Sequence, residues 1–517
     1  MLFEHVQVVD GTGGPAYVAD VEVEGARVVA IRRCAPARPP RLTMAPGFID
    51  MHAHADLSVL SDPGQHAKLS QGVTTQVLGQ DGIGYAPVDD AALALVRRQI
   101  AGWNGDLPDA AFTWRDTAGY LDALDAAELG TRVAFLVPQG NLRLLTVGAA
   151  DRPATASELD AMRGILADGL RAGAVGMSSG LTYTPGMYAS TGELEALCAV
   201  VAEHGGYWAP HTRGYGRGAL DAFAECIGIG LRTGCPVHLT HATMNFAANR
   251  GRAGELLALI DGALDAGADL TLDSYSYLPG STTLAALLPS WAHDGGPDAT
   301  LARLADAGER ARLRHALEVA GSDGAHGEVV DWETIQISGV GDAALSGAVG
   351  LSVAEWAGRG NATEAALDLM LADRLATGIL MHVGDEQNVR AIMRHPRHCG
   401  GSDGILVGGR PHPRAWGTFA RYLGHYTREL GVLTLEECVR HLAATPAARL
   451  GLTDRGVIRE GAVADLVLFD ADTVADRATF EQPRLPAEGI VHVLVGGEFA
   501  VRDGVRTAVA AGTVLRR

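Results

Sequence analysis

Lysine is nearly absent from this sequence: it occurs once, at Lys68, and arginine supplies the rest of the Lys+Arg total. A bias in coding composition accounts for the shortage. It also means that any role that requires a lysine can be filled only by Lys68. An excess of positive charge is also absent, since the formal net charge is −19 at pH 7. We therefore expect no binding to nucleic acid or to anionic membranes. Small anionic substrates are not excluded, because one or two local arginines can bind them.

Paired cysteines and long apolar runs are lacking too. The six cysteines are scattered and form no Cys-x-x-Cys pair, which is typical of reduced thiols in a cytoplasmic protein. No uninterrupted apolar stretch of about 18 residues occurs, so we expect neither a membrane span nor a signal peptide. The 517 residues are 47% hydrophobic and 20% charged, which indicates a globular protein with a large core. The oligomeric state stays open.

Short strands with alternating apolar and polar positions occur at both ends of the chain. Residues 1–45 contain EHVQVVDGTG and ADVEVEGARVVAI, and residues 446–517 contain VADLVLFDAD and IVHVLVGGEFAVRDG. Such alternation around tight turns is typical of β-hairpins. We therefore predict a small β-sandwich domain built from both termini.

Residues 46–445 alternate short apolar runs with helical segments. The runs are TTQVLG, RVAFLV, GAVGMSS, YWAPH, PVHLTH, DLTLDSY and GILMHV. This alternation predicts an α/β fold with a parallel sheet, and its length favours a (β/α)₈ TIM-like barrel. An open doubly wound sheet is the alternative, but no Gly-x-Gly-x-x-Gly turn follows an early strand. Residues from about 285 to 370 break the rhythm and predict a largely helical insertion, or lid, over the barrel mouth.

Two histidines follow the first apolar run of the predicted barrel. In APGFIDMHAHAD, His52 and His54 are two positions apart, so on a strand both imidazoles point to the same side. The preceding apolar residues place the pair at the carboxyl end of a strand, where barrel enzymes keep their active sites. Two incidental surface histidines are the alternative explanation for this pair taken alone.

Further polar residues end other apolar runs. His211 ends GGYWAPH, His241 ends CPVHLTH, Asp81 follows TTQVLGQ and Asp403 follows RHCGGS. Neutral imidazoles and carboxylates are the ligands of catalytic zinc. Four histidines and two carboxylates at the ends of separate strands therefore predict a metal site.

These residues lie in long motifs that resemble those of one known family, the N-acyl-D-amino-acid deacylases (D-aminoacylases) of the amidohydrolase superfamily. The resemblance covers essentially the full length. Its motifs are PGFIDMHAHAD, QGVTT, GAVGMSSGLTYTPG, the His-x-Arg after GGYWAP, THAT, DSYSYLPGSTTL, PHPRAWGTFARYLGHYTRE and ATPAARLGLTDRGVIREGAVADLVLFD.

The resemblance implies a fold, a cofactor and residue roles. His52, His54 and Asp403 would form one metal position, and His211 and His241 the other. The cofactor would be zinc, as one or two ions per chain, with Asp403 as the catalytic residue that activates the hydrolytic water. The residues that correspond to substrate-binding positions are Tyr183, Arg414, Ser281 and Arg213.

Three departures from the family pattern affect these expectations. The family usually has a cysteine ligand where this chain has Asp81. Because a carboxylate can bridge two metals, and because Lys68 is misplaced for a carboxylated bridging lysine, we expect Asp81 to bridge a binuclear site. A family lysine that helps hold the substrate carboxylate is Thr243 here, and the family's Gly-His is Pro138-Gln139. The amide chemistry is retained, but these changes leave the substrate in doubt.

We therefore predict a zinc-dependent hydrolase that cleaves a linear amide in an N-acyl-D-amino acid, releasing a D-amino acid and a carboxylic acid. Within the same class, an N-acyl amine, a dipeptide or a cyclic amide is the alternative substrate. Gly-x-Ser-x-Gly at residues 176–180 also fits the nucleophile elbow of serine hydrolases, with Ser178 as the nucleophile. However, a loop follows it where that motif requires a helix. A non-catalytic metal-binding protein is the remaining alternative.

Overall fold

The computed structural model describes residues 1–35 and 39–517. Its strands are β1 (Leu2–Val8), β2 (Tyr17–Glu24), β3 (Arg27–Arg33), β4 (Thr43–Pro46), β5 (Phe48–Asp50), β6 (Ala53–His54), β7 (Val73–Leu78), β8 (Arg132–Pro138), β9 (Gly176–Gly180), β10 (Tyr207–His211), β11 (Val237–Leu239), β12 (Leu270–Ser274), β13 (Gly280–Thr283), β14 (Ile335–Gly339), β15 (Gly378–Met381), β16 (His398–Gly400), β17 (Gly404–Ile405), β18 (Leu466–Phe469), β19 (Ile490–Val495), β20 (Glu498–Arg502) and β21 (Val505–Arg506).

The α-helices connect these strands. They are α1 (Ser58–Ser61), α2 (His66–Leu69), α3 (Asp90–Gln99), α4 (Ala101–Asn104), α5 (Thr117–Asp125), α6 (Gln139–Thr146), α7 (Ala156–Arg171), α8 (Thr191–Glu203), α9 (Ala219–Thr233), α10 (Ala253–Asp265), α11 (Pro297–Ala305), α12 (Ala307–His315), α13 (Val353–Ala357), α14 (Ala362–Ala372), α15 (Glu386–Met393), α16 (Arg414–Arg421), α17 (Leu435–Val439) and α18 (Thr445–Arg449). Within the described ranges, no helix is long and apolar enough to cross a membrane.

Both ends of the chain contribute to one eight-stranded sheet. Its order is β21-β20-β19-β18-β4-β1-β2-β3, so the N-terminal and C-terminal strands meet where β4 pairs with β18. The inner faces of β1, β2 and β18 pack in one apolar cluster that includes Val8, Val21 and Leu468. The prediction that strands from both termini form one β-structure is confirmed. The prediction succeeded because alternating apolar and polar residues place one face of each strand in the core.

The barrel consists of eight parallel strands in the order β5-β7-β8-β9-β10-β11-β12-β16. Strands β7 and β8 are buried at every position, as expected where helices cover the outside and side chains fill the inside. The backbone N–H of Met51 donates to the carbonyl of Gly400, and β6 pairs with β17 just beyond. These contacts join the first strand to the last and confirm the predicted TIM-like barrel.

The segment after β12 forms a separate layer with its own core. Strands β13, β15 and β14 make an antiparallel sheet, and their residues pack with those of α11–α14 in one cluster. The expectation of a largely helical insertion missed strand β14. The run GILMHV was wrongly assigned to the parallel barrel, because a short buried strand has the same apolar pattern in either kind of sheet. The eighth barrel strand is instead β16.

Candidate metal centre

Six side chains meet at the carboxyl ends of the barrel strands. His52 and His54 follow β5, and Asp81 comes three residues after β7. His211 ends β10, His241 lies two residues beyond β11, and Asp403 lies three residues beyond β16. All six are buried. The structure thus brings together every metal ligand that the sequence predicted, from five different strands.

The first group of ligands surrounds the space between His54 and the two carboxylates. His54 Nε2 lies 3.1 Å from Asp403 Oδ1 and 3.6 Å from Asp81 Oδ2. His52 Nε2 lies 3.6 Å from Asp81 Oδ1 and 3.7 Å from Asp403 Oδ1. One ligand atom from each of these four residues falls within 4.8 Å of the others.

The second group shares Asp81 with the first. His211 Nδ1 lies 3.2 Å from His241 Nε2. Asp81 Oδ2 is 3.5 Å from His211 Nδ1, and Asp81 Oδ1 is 3.4 Å from His241 Nε2. The two oxygens of Asp81 therefore face both groups of ligands.

These distances fit a zinc ion. Two ligands at about 2.0–2.1 Å from a tetrahedral ion lie roughly 3.4 Å apart, close to the separations in both groups. In addition, neither nitrogen of the buried His52 ring has a hydrogen-bond partner in the described part of the chain. A buried polar atom without a partner requires an explanation, and a bound metal supplies it for Nε2, which faces Asp81 and Asp403.

The backbone at three ligands adopts the left-handed conformation that non-glycine residues rarely take. Its φ is 55° at Asp81, 31° at His241 and 47° at Asp403. Such positions typically cost about 1–3 kcal/mol and cluster at active sites, where the rest of the fold holds them. The turn continues at Gly82. Only glycine fits there, because a Cβ would lie 2.3 Å from the backbone nitrogen of Gly180.

Burial and the neighbouring charges shift the pKa values of the ligands in different directions. Burial lowers the pKa of His52 to about 4, which keeps its ring neutral at pH 7. Burial would raise the pKa of Asp81, but the surrounding imidazoles hold it well below its usual range. Burial would also lower the pKa of His241, yet the Asp81 carboxylate raises it to about 9. Metal binding would therefore displace a proton from His241.

Several residues behind the ligands escaped the sequence analysis. His211 Nε2 lies 2.7 Å from the Thr182 hydroxyl, which leaves Nδ1 to face the cluster. The Asp273 carboxylate accepts a hydrogen bond from the His241 backbone N–H and lies 2.9 Å from His238 Nε2. Such outer partners fix the orientation of metal-binding histidines. The strand-end position of Asp273, in LTLDS, is the same signal that found Asp81, and it could have revealed this residue.

Arg414 stands beside the first ligand group. It begins helix α16 and is fully buried, with Nη2 2.9 Å from Asp403 Oδ1. Its Cζ lies 4.5 Å from the centre of the Tyr275 ring. Among the described residues, none of its three guanidinium nitrogens has a partner in good hydrogen-bond geometry, so the contact of Nη2 with Asp403 is an ion pair. A buried guanidinium with unused donors is suited to binding a carboxylate.

A cavity of about 480 Å³ opens onto the ligands. Tyr183 and Ser281 line it together with Asp81, His211, His241 and Asp403. Thr243 lines it as well, and so does His326, which the insertion supplies. Burial and the neighbouring imidazoles lower the pKa of His326 to about 3. The structure therefore adds His326, which the sequence analysis missed because its segment lacks barrel periodicity.

The structure does not bring Arg213 to this group. Its Nε donates to Glu225, and its Nη1 and Nη2 donate to the carbonyls of Met187 and Ala189. The guanidinium thus ties the loop after β9 to helix α9. Its position two residues after His211 explains why the sequence pattern pointed to it.

The side chains of Ser178 and Gln139 are both hydrogen-bonded to other parts of the fold. The Ser178 hydroxyl donates to the Gly79 carbonyl and accepts from the Gly82 N–H, so it supports the turn that carries Asp81. Gln139 and Arg143 both donate to the buried carboxylate of Glu193. Pro138-Gln139, the departure from the family's Gly-His, therefore belongs to a buried network that positions helix α6.

A parallel barrel with buried imidazoles and carboxylates at its carboxyl end defines a metal-dependent hydrolase. Comparison with known proteins agrees: residues 42–501 match the amidohydrolase family, and the chain belongs to that family. It is 38% identical to the N-acyl-D-glutamate deacylase of Alcaligenes xylosoxydans xylosoxydans, over 100% of this chain and 96% of that one. It is 34% identical to the D-aminoacylase of the same organism, over 99% and 96%.

A solved structure shows the same relationship. The N-acyl-D-glutamate deacylase of Bordetella bronchiseptica, complexed with zinc and a phosphonate inhibitor, is 35% identical to this chain. The alignment covers 100% of this chain and 99% of the other, with a TM-score of 0.82. The expected class of enzyme, which hydrolyses C–N bonds other than peptide bonds, is thereby confirmed.

Proposed function

We propose that this protein hydrolyses the amide bond of an N-acyl-D-amino acid, releasing a D-amino acid and a carboxylic acid. One observation carries the proposal: Asp403 Oδ1 lies 3.1 Å from His54 Nε2 and 2.9 Å from Arg414 Nη2. Asp403, the proposed general base and acid, thus contacts both the metal ligand His54 and Arg414, the cation suited to binding a substrate carboxylate. The named activities of the relatives support the same substrate class.

The metal would be zinc, as one or two ions per chain. His52, His54 and Asp403 would hold one ion and His211 and His241 the other, with Asp81 shared between them. Zinc supplies a Lewis acid for the amide carbonyl and lowers the pKa of bound water to about 7. A relative complexed with zinc supports this choice of metal.

Asp403 would serve as the general base and then as the general acid. Burial would raise the pKa of Asp403, but Arg414 and the neighbouring imidazoles together hold it below its usual range, so the carboxylate is ionised and can accept a proton from the attacking water. It would then deliver that proton to the departing amine nitrogen, which must be protonated to leave. Proton transfer of this kind typically contributes about 10²–10⁴ in rate.

Arg414 and Ser281 would orient the substrate. The unused Nε and Nη1 donors of Arg414 would bind the carboxylate of the amino acid in a bidentate manner. The Ser281 hydroxyl and the Tyr183 phenol line the cavity that opens onto the ligands, and so does Asp403, which Arg414 contacts. Burial raises the pKa of Tyr183 well above its usual value, so the phenol stays a hydrogen-bond donor towards the carbonyl oxygen. Arg213 is assigned instead to the loop contacts described above.

The acyl group or the side chain of the substrate would reach a second cavity. This cavity of about 750 Å³ shares Tyr183 as a wall. Ile100, Trp103 and Leu144 are among the apolar residues that line it. Arg98 and Arg374 line it as well, so the cavity offers apolar walls to an acyl chain and cations to an anionic side chain.

An amide other than an N-acyl-D-amino acid is the second candidate. It is favoured by Thr243, which lines the cavity where the family pattern has a lysine. An N-acyl amine has no carboxylate, so its binding would not require the cation that the family lysine supplies. The six cysteines are free in the structure, which supports a cytoplasmic location. The named activities of the relatives support a small-molecule substrate as the partner.

The experiment is a paired assay on metal-loaded protein. N-acetyl and longer N-acyl derivatives of D-leucine, D-phenylalanine and D-glutamate would be compared with their L-isomers and with the matching N-acyl amines. D-selective release of amine supports the proposal, and the order of the three substrates shows whether the second cavity prefers an apolar or an anionic side chain. Faster cleavage of N-acyl amines supports the second candidate. Hydrolysis that survives complete removal of metal contradicts both.

A further inference from the structure

We propose that Lys68, the sole lysine of the chain, positions the first metal-binding group through a buried clamp on the backbone of His52 and Asp403. Lys68 lies in helix α2 and is fully buried together with Asp50 and Ser402. The proposal rests on the proposed function, since it assigns how the same site is held in place.

The clamp begins at the ammonium group. Lys68 Nζ lies 2.6 Å from Asp50 Oδ2 and donates to the Ser402 hydroxyl at 2.8 Å. Ser402 in turn donates to Asp50 Oδ2 at 2.6 Å. Lys68 is 18 positions from Asp50 and 334 from Ser402, and the three side chains share one closed network without access to solvent.

The network reaches the ligands through the backbone. Asp50 Oδ1 accepts from the backbone N–H of Ser402 at 2.8 Å and from that of His52 at 3.2 Å. The Asp403 N–H donates to the His52 carbonyl at 2.8 Å. One carboxylate therefore ties the end of the first barrel strand to the segment after the last one, and each segment carries a ligand of the same group.

This location explains why the position suits lysine in a chain that otherwise uses arginine. A compact ammonium fits between a carboxylate and a hydroxyl, whereas a planar guanidinium needs a wider site. Removing the ammonium would leave Asp50 charged, buried and without its cation. The two clamped segments would then be free to move apart, which changes the distance between His52 and Asp403.

Three variants test the clamp. Lys68→Met removes the ammonium, Lys68→Arg keeps the charge in a different shape, and Ser402→Ala removes only the hydroxyl. The matched control is Arg132→Met, which removes a buried ion pair with Asp465 at the opposite end of the barrel. The readouts are Zn²⁺ affinity by competition with a chelator, the visible absorption spectrum of the Co²⁺-substituted protein, melting temperature, and separate kcat and KM values.

We expect Lys68→Met and Lys68→Arg to lower the Zn²⁺ affinity of the first metal-binding group by about 10- to 100-fold. This is the usual cost of losing a residue that holds a metal ligand in place. Ser402→Ala should lower the affinity of the same group by less. The Co²⁺ spectrum should change for that group alone, and kcat should fall while KM stays within about twofold. Arg132→Met should lower the melting temperature and leave both metal positions unchanged.

Other results overturn the proposal. Wild-type Zn²⁺ affinity and Co²⁺ spectrum in folded Lys68→Met would do so, and if that variant does not fold, the same result in Ser402→Ala decides against it. An equal loss of Zn²⁺ in Arg132→Met would show a general effect of destabilisation and would also overturn it. Because the metal readouts need no substrate, a wrong substrate assignment leaves this test intact. Wild-type protein that binds no metal would contradict the proposed function itself.

Discussion

Asp81 Oδ1 lies 3.4 Å from His241 Nε2, at the junction of the two groups of metal ligands. The other oxygen of this carboxylate faces His54 and His211. We therefore predict that Asp81→Ala reduces the metal content from two ions per chain to one or fewer. The measurement is elemental analysis after dialysis. Asp81→Cys should retain at least one ion, because a thiolate is also a zinc ligand. Two tightly bound ions in Asp81→Ala would contradict the bridging role.

Replacement of either histidine of the second group should remove the metal of that group, and activity with it. In His211→Ala or His241→Ala, the remaining imidazole and Asp81 supply too few ligands for a zinc site. Metal content and turnover would be measured on the same samples. His395→Ala is the matched control, since His395 is a buried histidine bonded to Asp261 away from the site. Full activity with a histidine of the second group removed would show that this group is not needed for hydrolysis.

Asp403→Asn should separate metal binding from turnover. The amide keeps an oxygen for the metal but cannot accept a proton, so much of the metal should stay bound. We expect kcat to fall by about 10²–10⁴. Steady-state kinetics with elemental analysis of the same preparation checks this. Near-normal kcat in a metal-loaded variant would rule out Asp403 as the proton carrier.

Arg414→Met should discriminate between substrates. Loss of a charged hydrogen-bond partner, worth about 1.5–3 kcal/mol, should lower kcat/KM for N-acyl amino acids by roughly 10- to 100-fold. N-acyl amines have no carboxylate and should lose much less. The ratio of the two kcat/KM values is the readout, because any effect through Asp403 would act on both substrates. An unchanged ratio would mean that Arg414 serves Asp403 alone.

Ser178→Ala distinguishes the metal-dependent reaction from a serine hydrolase. The hydroxyl is bonded to the Gly79 carbonyl and the Gly82 N–H, so its loss should lower the melting temperature modestly. We expect kcat to stay within about tenfold of wild type, whereas loss of a nucleophile reduces it by many orders of magnitude. Abolished turnover in a folded, metal-loaded variant would favour the serine mechanism.

The metal ligands could be predicted from sequence because each stands at the end of an apolar run. Parallel barrel strands bring such ends to one place, so His52, His211 and Asp403 were assigned together although they are far apart in the chain. The strand GILMHV was misassigned for the converse reason, since its apolar pattern carries no information about its partner strand.

Contacts that depend on distant packing could not be predicted. Lys68 and Ser402 are 334 positions apart, and nothing in either local segment indicates that they meet. His326 reaches the cavity from a segment without barrel periodicity. Arg213 shows the opposite error, because its place beside His211 in sequence suggested the site while its side chain is bonded to Glu225.

The most direct test of the account is a metal count and a stereochemical assay on one purified sample. We predict one or two zinc ions per chain, with Asp81 as a ligand to either, and D-selective release of amine from N-acyl-D-amino acids. Hydrolysis should disappear when the metal is removed and return when zinc is restored. A metal-free protein that hydrolyses these amides at the same rate would contradict the central claim.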